Sequence, residues 1–230
     1  MSLPHTRHRS ATQVSTTRLN RTIGIVLLLL EVYIALSVVL RPGGSRPEFN
    51  FKSEHGSITL LSSAMFLVGA GFAVAAFRAV RGAGGRGRLL WAGFAAVLLY
   101  FSIDEVVGFH EAAGDVLDAG VGAGPFRTWN DLVVLAYGVV ALPAVVYFRR
   151  ELFRYHRFVP MLVISAFFFV ATSAIDSLST TPTTLSIILE EGVKVHCSVL
   201  LMLSSLTGLF AARLLAAGPG AGPENGPETE

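Results

Sequence analysis

Residues 89–111 read LLWAGFAAVLLYFSIDEVVGFHE, an apolar run that ends in a group of charged side chains. Segment 89–109 matches the roughly 20 residues that a helix needs to cross the hydrocarbon core of a bilayer. Asp104, Glu105, His110 and Glu111 lie at its end, and a charge at the centre of a membrane helix costs about 2.5–3.5 kcal/mol on insertion scales. Charges kept in such helices are usually paired, hydrated or functional. The segment therefore predicts a membrane span that carries a polar site.

Five further apolar runs of similar length follow the same pattern. The chain is 52% hydrophobic and only 15% charged, whereas soluble domains carry about 25% charged residues. Because lipid cannot satisfy exposed backbone groups, such spans are expected to be helices. The sequence thus predicts an all-α integral membrane protein, a bundle of six transmembrane helices within residues 22–213. The predicted spans are 22–40, 57–77, 89–109, 131–148, 158–177 and 186–212.

The termini read differently from the spans. Residues 1–21 are polar and basic, and their composition predicts a flexible tail. Residues 214–230 are rich in Gly, Pro and Glu, which predicts a disordered tail. The single cysteine, Cys197, excludes an internal disulfide and a cysteine-based zinc cage.

Basic residues alternate between the two sides of this topology. Thirteen fall on one side, in the N-terminal tail, in the connections after spans two and four, and at Arg213, against four on the other. The positive-inside rule then places both termini in the cytoplasm, in agreement with an even number of spans. We expect a multi-pass protein of the cell membrane, the cytoplasmic membrane of a bacterium. Topology accounts for the arginines, so the lipid bilayer, and no nucleic acid, is the expected partner.

The acidic residues gather on the opposite, extracytoplasmic side. Within predicted helices they occur at the ends of spans three and five and at the start of span six. Carboxylates with histidine suit zinc, manganese or iron, so we predict a metal or other cation site, with a divalent metal as the candidate cofactor. The candidate ligands are Asp104, His110, Glu111, Asp176 and Glu190, and the supporting residues are Glu105, Ser173, Glu191, Lys194 and His196.

Helical spacing refines this prediction. On one straight helix, Asp104 and Glu111 lie about 20° apart, while Glu105 and His110 lie about 100° and 120° to either side. We therefore expect Asp104 and Glu111 to form the inward pair, and expect His110 and Glu105 to need a kink or separate partners. Lys194 follows Glu190 by four residues and Glu191 by three, spacings that allow ion pairs within one helix.

Three alternatives remain open. The polar residues can form an ion-paired structural plug, but one interior lysine faces at least five acids and leaves a surplus of carboxylates. Intramembrane acids also mark the pathways of proton- or cation-coupled transporters. A metal-dependent hydrolase acting on membrane lipid is the third. The sequence does not decide whether the protein is an enzyme, or whether it binds a second copy or another membrane protein.

Two short motifs carry a family resemblance. Asp-Glu-x4-His-Glu at 104–111 and Glu-Glu-Gly-x-Lys at 190–194 resemble small uncharacterised bacterial multi-spanning membrane proteins, over roughly residues 50–213. That resemblance implies the membrane fold and no established activity. A looser comparison is with alkaline ceramidase-like membrane hydrolases. The chain lacks their paired His-x-x-x-His near the C-terminus and offers only His196 there.

Overall fold

The computed structural model describes residues 5–39, 56–80, 85–122, 129–155, 157–178 and 183–217. These residues form seven α-helices and no strand. The helices are α1 (His5–Val39), α2 (Ser57–Ala79), α3 (Gly85–Val107), α4 (Phe109–Val121), α5 (Trp129–Arg154), α6 (Phe158–Leu178) and α7 (Thr184–Ala217).

Six of the described helices are long and apolar enough to cross a membrane. One candidate span lies in each of α1, α2, α3, α5, α6 and α7. The remaining helix, α4, is too short to cross a membrane. A helix of 23 residues, such as α2 or α3, extends about 35 Å, enough for a hydrocarbon core about 30 Å thick. The prediction of a helical, multi-pass membrane protein is therefore confirmed.

The chain divides into two compact units, Met1–Ser57 and Ile58–Glu230. The first unit contains α1, which includes a candidate membrane span within Thr16–Val39. The helix itself begins at His5, so it includes most of the tail that we predicted to be flexible. Hydropathy marks where apolar residues begin, whereas the helix continues backward because the segment from His5 to Ile23 contains neither proline nor glycine.

The second unit contains α2 to α7. Hydroxyl groups link α2 to α3, because Ser63 Oγ donates to the Ser102 carbonyl at 2.8 Å and Ser102 Oγ donates back to the Ser63 carbonyl at 3.0 Å. Ser165 on α6 likewise donates to the carbonyl of Cys197 on α7 at 3.0 Å. Small hydroxyl residues allow membrane helices to pack closely and to bond across the interface. The end of α7 reaches Ala217 and so includes residues 214–217 of the tail that we predicted to be disordered, and residues 218–230 lie outside the described residues.

An aromatic cluster closes one end of the second unit. The ring centroid of Trp91 lies 5.2 Å from those of both Tyr155 and Phe158, and Phe94 lies 5.3 Å from Phe158. Trp91 and Phe158 are fully buried. Edge-to-face rings at these distances attract one another beyond the burial of their area. The cluster stands at the start of α3, the junction of α5 and α6, and the end of α7.

Gly208 gives Trp91 its place in that cluster, because a Cβ atom at this position would overlap the Trp91 ring. We expect Gly208→Ala to lower the stability of the purified protein by about 1–3 kcal/mol, the usual range for an overpacked core. Thermal unfolding in detergent, followed by tryptophan fluorescence, measures it. Gly71→Ala on α2 is the matched control, since a Cβ there meets nothing within 4 Å. Equal melting temperatures for the two variants would contradict the packing assigned to Gly208.

Candidate functional site

A helix break at Gly108 separates α3 from α4. Gly108 has φ 70° and ψ 41°, the left-handed region, which glycine adopts without the penalty that a side chain brings. The Gly108 amide donates to the Asp104 carbonyl at 2.7 Å, and the Ala112 amide donates to the Gly108 carbonyl at 2.9 Å. The predicted span at 89–109 therefore ends at Val107, and the chain turns into a separate short helix.

Asp104 holds the two sides of this break together. Its Oδ1 accepts a hydrogen bond from the backbone amide of His110 at 3.0 Å, and its Oδ2 lies 3.0 Å from His110 Nδ1. The first amides of a helix have no partner within the helix, and a carboxylate is favourable beside them. Asp104 therefore caps α4 from the preceding helix, with its side chain only 8% exposed.

The expected pairing of Asp104 with Glu111 is not found. That prediction assumed one straight helix through residue 111, and the break at Gly108 changes the direction of everything after it. His110 turns back to Asp104, whereas Glu111 is more exposed and its Oε1 lies 3.9 Å from His110 Nε2. The expectation that His110 would need a kink to join the site is the one that fits the structure.

A second ion pair links α3 to α7. Lys194 Nζ lies 2.7 Å from Glu105 Oε1 and 3.9 Å from Glu191 Oε2. The closest carboxylate is thus on another helix, while the predicted pairing within the helix is present at longer range to Glu191. The Glu105 side chain is 8% exposed. The Lys194 side chain is 31% exposed, so solvent reaches this end of the ion pair.

Both ion pairs face a cavity of about 150 Å³ within the second unit. The cavity lies toward the end of the helices opposite the aromatic cluster of Trp91. Its acidic and basic side chains are three carboxylates, one lysine and one histidine, and aromatic, hydroxyl, thiol and aliphatic side chains complete the wall. The residues that line the cavity include Phe66, Phe101, Asp104, Glu105, His110, Tyr137, Phe169, Thr172, Ser173, Glu190 and Lys194.

The other predicted site residues are placed as follows. Glu190 lines the cavity, and its backbone carbonyl accepts a hydrogen bond from Thr172 at 3.2 Å. Ser173 also lines it, with its hydroxyl donating to the Phe169 carbonyl of its own helix. His196 Nδ1 lies 2.6 Å from the Gly192 carbonyl, and its ring stacks on Phe168 at 5.4 Å. The Asp176 side chain lies outside the described residues.

Within the described part of the chain, no three His, Cys, Asp or Glu side chains are grouped closely enough to hold a metal ion. The ion pairs explain this arrangement, since Asp104 turns to His110 and Glu105 turns to Lys194. These two carboxylates are each directed at a base of the protein rather than at a common centre.

Aromatic residues of the cavity were missed in the sequence. Tyr137 on α5 lines it, and its hydroxyl lies 2.6 Å from that of Tyr100 on α3. Phe66, Phe101 and Phe169 line it from three other helices. A phenylalanine in an apolar span resembles any lipid-facing residue, so its position gives no signal. Tyr137 lies in the same half of its span as the acids, and this position was the available sign that it lines the cavity.

The position of His110 beside Asp104 changes the pKa of the imidazole. Burial alone would lower the pKa of His110, but the hydrogen bond to Asp104 and the negative charges of Asp104 and Glu111 outweigh it. The net result raises the pKa of His110 above its ordinary value of 6.5. A raised folded pKa means that protonation of His110 stabilises the fold.

This stabilisation is fully present below the unfolded pKa and is lost as the pH rises through the raised folded pKa. We therefore expect His110→Gln to lower the melting temperature most below about pH 6 and progressively less above it, across scans from about pH 5 to about pH 8. Asp104→Asn removes the carboxylate that pairs with His110 and should lose most of the same pH-dependent part. A difference from wild type that stays constant with pH would contradict the ion pair.

Comparison with known proteins gives a family but no activity. No curated protein and no solved structure matches the chain significantly. A family described as a domain of unknown function, DUF8692, matches residues 22–209. The match covers more than half of the chain and includes every residue that lines the cavity. The protein therefore belongs to the DUF8692 family.

Proposed function

We propose that this membrane protein binds a cation in the cavity between its helices. The observation that carries the proposal is the charge of the lining, in which Asp104, Glu105 and Glu190 face Lys194 and His110. With the carboxyl groups ionised, the lining is net negative whether His110 is protonated or neutral. Such charge among membrane helices is expensive and usually marks a ligand or ion path.

The surroundings strengthen the attraction for a cation. Charges interact more strongly away from bulk water, because the effective dielectric constant is lower. Glu191 lies 3.9 Å from Lys194, and Glu111 lies 3.9 Å from His110, so each base has a second carboxylate nearby. A divalent metal is one candidate for the cation. The cofactor stays a prediction, and the experiment below distinguishes it from other cations.

We also propose that the cavity opens on the extracytoplasmic side of the cell membrane, with both termini cytoplasmic. The described arginines of the second unit support this orientation, since they lie at the opposite end of the helices from the cavity. They are Arg78, Arg86, Arg88, Arg149, Arg150, Arg154, Arg157 and Arg213. An excess of arginine marks the cytoplasmic end of membrane helices.

Proton-coupled transport of the cation is a second candidate, and His110 favours it. Histidine is the side chain that titrates closest to neutral pH, and this one lines the cavity. A transporter would also need a path to the other end of the helices. There the Trp91, Tyr155 and Phe158 rings pack together in the buried core, so the arrangement described supports a binding site more directly than an open path.

Glu190→Gln tests the cation site and leaves both the Asp104–His110 and the Glu105–Lys194 ion pairs in place. We expect the variant to bind the cation about ten- to 150-fold more weakly, because an interaction with a charged group contributes about 1.5–3 kcal/mol. Calorimetry on purified protein, titrated separately with divalent metals, alkali ions and an organic ammonium, measures this change.

Asp118→Asn is the matched control for that measurement. It removes one carboxylate from an exposed position on α4 that does not line the cavity. We expect wild-type affinity in this variant. If no cation binds the wild-type protein, or if both variants bind equally well, the proposed function is wrong.

The orientation has its own test by cysteine labelling in intact cells. Asp118→Cys and Arg149→Cys introduce thiols at exposed positions on α4 and near the end of α5, and the native Cys197 is buried. We expect a membrane-impermeant maleimide to label position 118 in intact cells and position 149 only after lysis. The reverse pattern would invert the proposed topology.

A further inference from the structure

We propose that the cation bound in this cavity is a small organic ammonium ion. This inference rests on the proposed cation site and names its class of ligand. Three features of the cavity carry it: an aromatic wall, a volume that suits a small organic molecule, and carboxylates that are already engaged by bases of the protein.

The aromatic wall comes from four helices. The Phe66 ring of α2 lies 5.6 Å from the Phe101 ring of α3, and Phe101 lies 6.0 Å from Tyr137 of α5, centroid to centroid. Phe169 of α6 also lines the cavity. The face of an aromatic ring is electrically negative, and cages of such rings recognise quaternary ammonium groups. A small alkali ion gains little from this wall, because it must first give up its tightly held water in order to contact the rings.

The volume sets the size of the ligand. The cavity measures about 150 Å³, and an apolar protein cavity of about 150 Å³ is known to accommodate benzene, with six non-hydrogen atoms. A tetramethylammonium group is of comparable size. A drug-sized ligand is excluded, since pockets for such molecules measure about 300–1,000 Å³.

The ion pairs favour a cation that does not require several protein ligands to converge on it. Calcium takes six to eight oxygen ligands and zinc usually takes four ligands in structural sites. Here Asp104 is bonded to His110, and Glu105 contacts Lys194 at 2.7 Å. A quaternary ammonium has no N–H donors and is only weakly hydrated, so it requires a negative field and polarisable walls rather than several converging oxygens. The lining provides both, with Glu190 as a third carboxylate.

Tetramethylammonium is the probe, with uncharged tert-butanol as the control for shape. We expect saturable binding of tetramethylammonium to the purified full chain at constant ionic strength, and none of tert-butanol. Tyr137→Leu should weaken binding about two- to thirtyfold, the range of one cation–π contact. Tyr137→Phe keeps the ring and should bind like wild type. Phe101→Leu is a second variant, in case Tyr137→Leu fails to fold.

The results distinguish failure of this inference from failure of the proposed function. If a divalent metal or alkali ion binds through Glu190 but tetramethylammonium does not, the cation site stands and the ammonium inference is overturned. If no cation binds, both are wrong. Equal binding of tetramethylammonium to wild type, Tyr137→Leu and Phe101→Leu would overturn the aromatic cage. Binding of tert-butanol as tight as that of tetramethylammonium would show a cavity indifferent to charge and overturn both proposals.

Discussion

The contact between Asp104 and His110 across the break at Gly108 determines the arrangement of the site. A straight helix would carry residues 108–111 onward, with His110 turned about 120° away from Asp104. The left-handed conformation of Gly108 instead brings the amide and the ring of His110 back to the same carboxylate. The neighbouring residue Glu105, before the break, reaches Lys194 on α7. One permissive residue thus decides which base Asp104 meets.

The two ion pairs also explain how the membrane helices tolerate so many charges. An isolated carboxylate in a low-dielectric region costs several kcal/mol, and pairing with a base recovers part of that cost. Asp104 and Glu105 each have such a base. Because a buried ion pair is often no more stable than well-packed apolar residues, stability alone is a weak reason for placing two of them beside one cavity. Their position at the lining is better explained by a ligand that responds to the remaining negative field.

The sequence predicts the helices well and the contacts of the site less well. The apolar runs locate the six long helices, because the thickness of the bilayer sets the length of an apolar span, although α1 begins at His5 and α7 continues to Ala217, outside the predicted apolar runs. The segments that hold the acids also meet, since helices of the predicted topology bring the end of α3 beside the start of α7.

The pairing of Asp104 with His110 was missed because Gly108 was treated as part of a continuous helix, although a lone glycine beside His110 and Glu111 was the visible sign of a turn. The link from Lys194 to Glu105 depends on helix rotation, which hydropathy does not determine. The aromatic wall was missed for a similar reason, since Phe66 and Phe101 differ from lipid-facing residues only in the direction in which they point.

The same geometry bears on what the cavity can distinguish. A metal site selects by distance and ligand number, and it therefore requires carboxylates that are free to converge. In this cavity the protein's own lysine and histidine occupy positions next to the carboxylates, where an incoming metal would have to compete with them. A diffuse cation can instead share the field of the acids without displacing either base, while its methyl groups contact Phe66, Phe101 and Tyr137. Selectivity would then come from the shape and the ring faces of the wall, and the ion pairs would set how negative that wall is. Protonation of His110 would make the wall less negative, so proton and cation would compete through charge although they bind at different atoms.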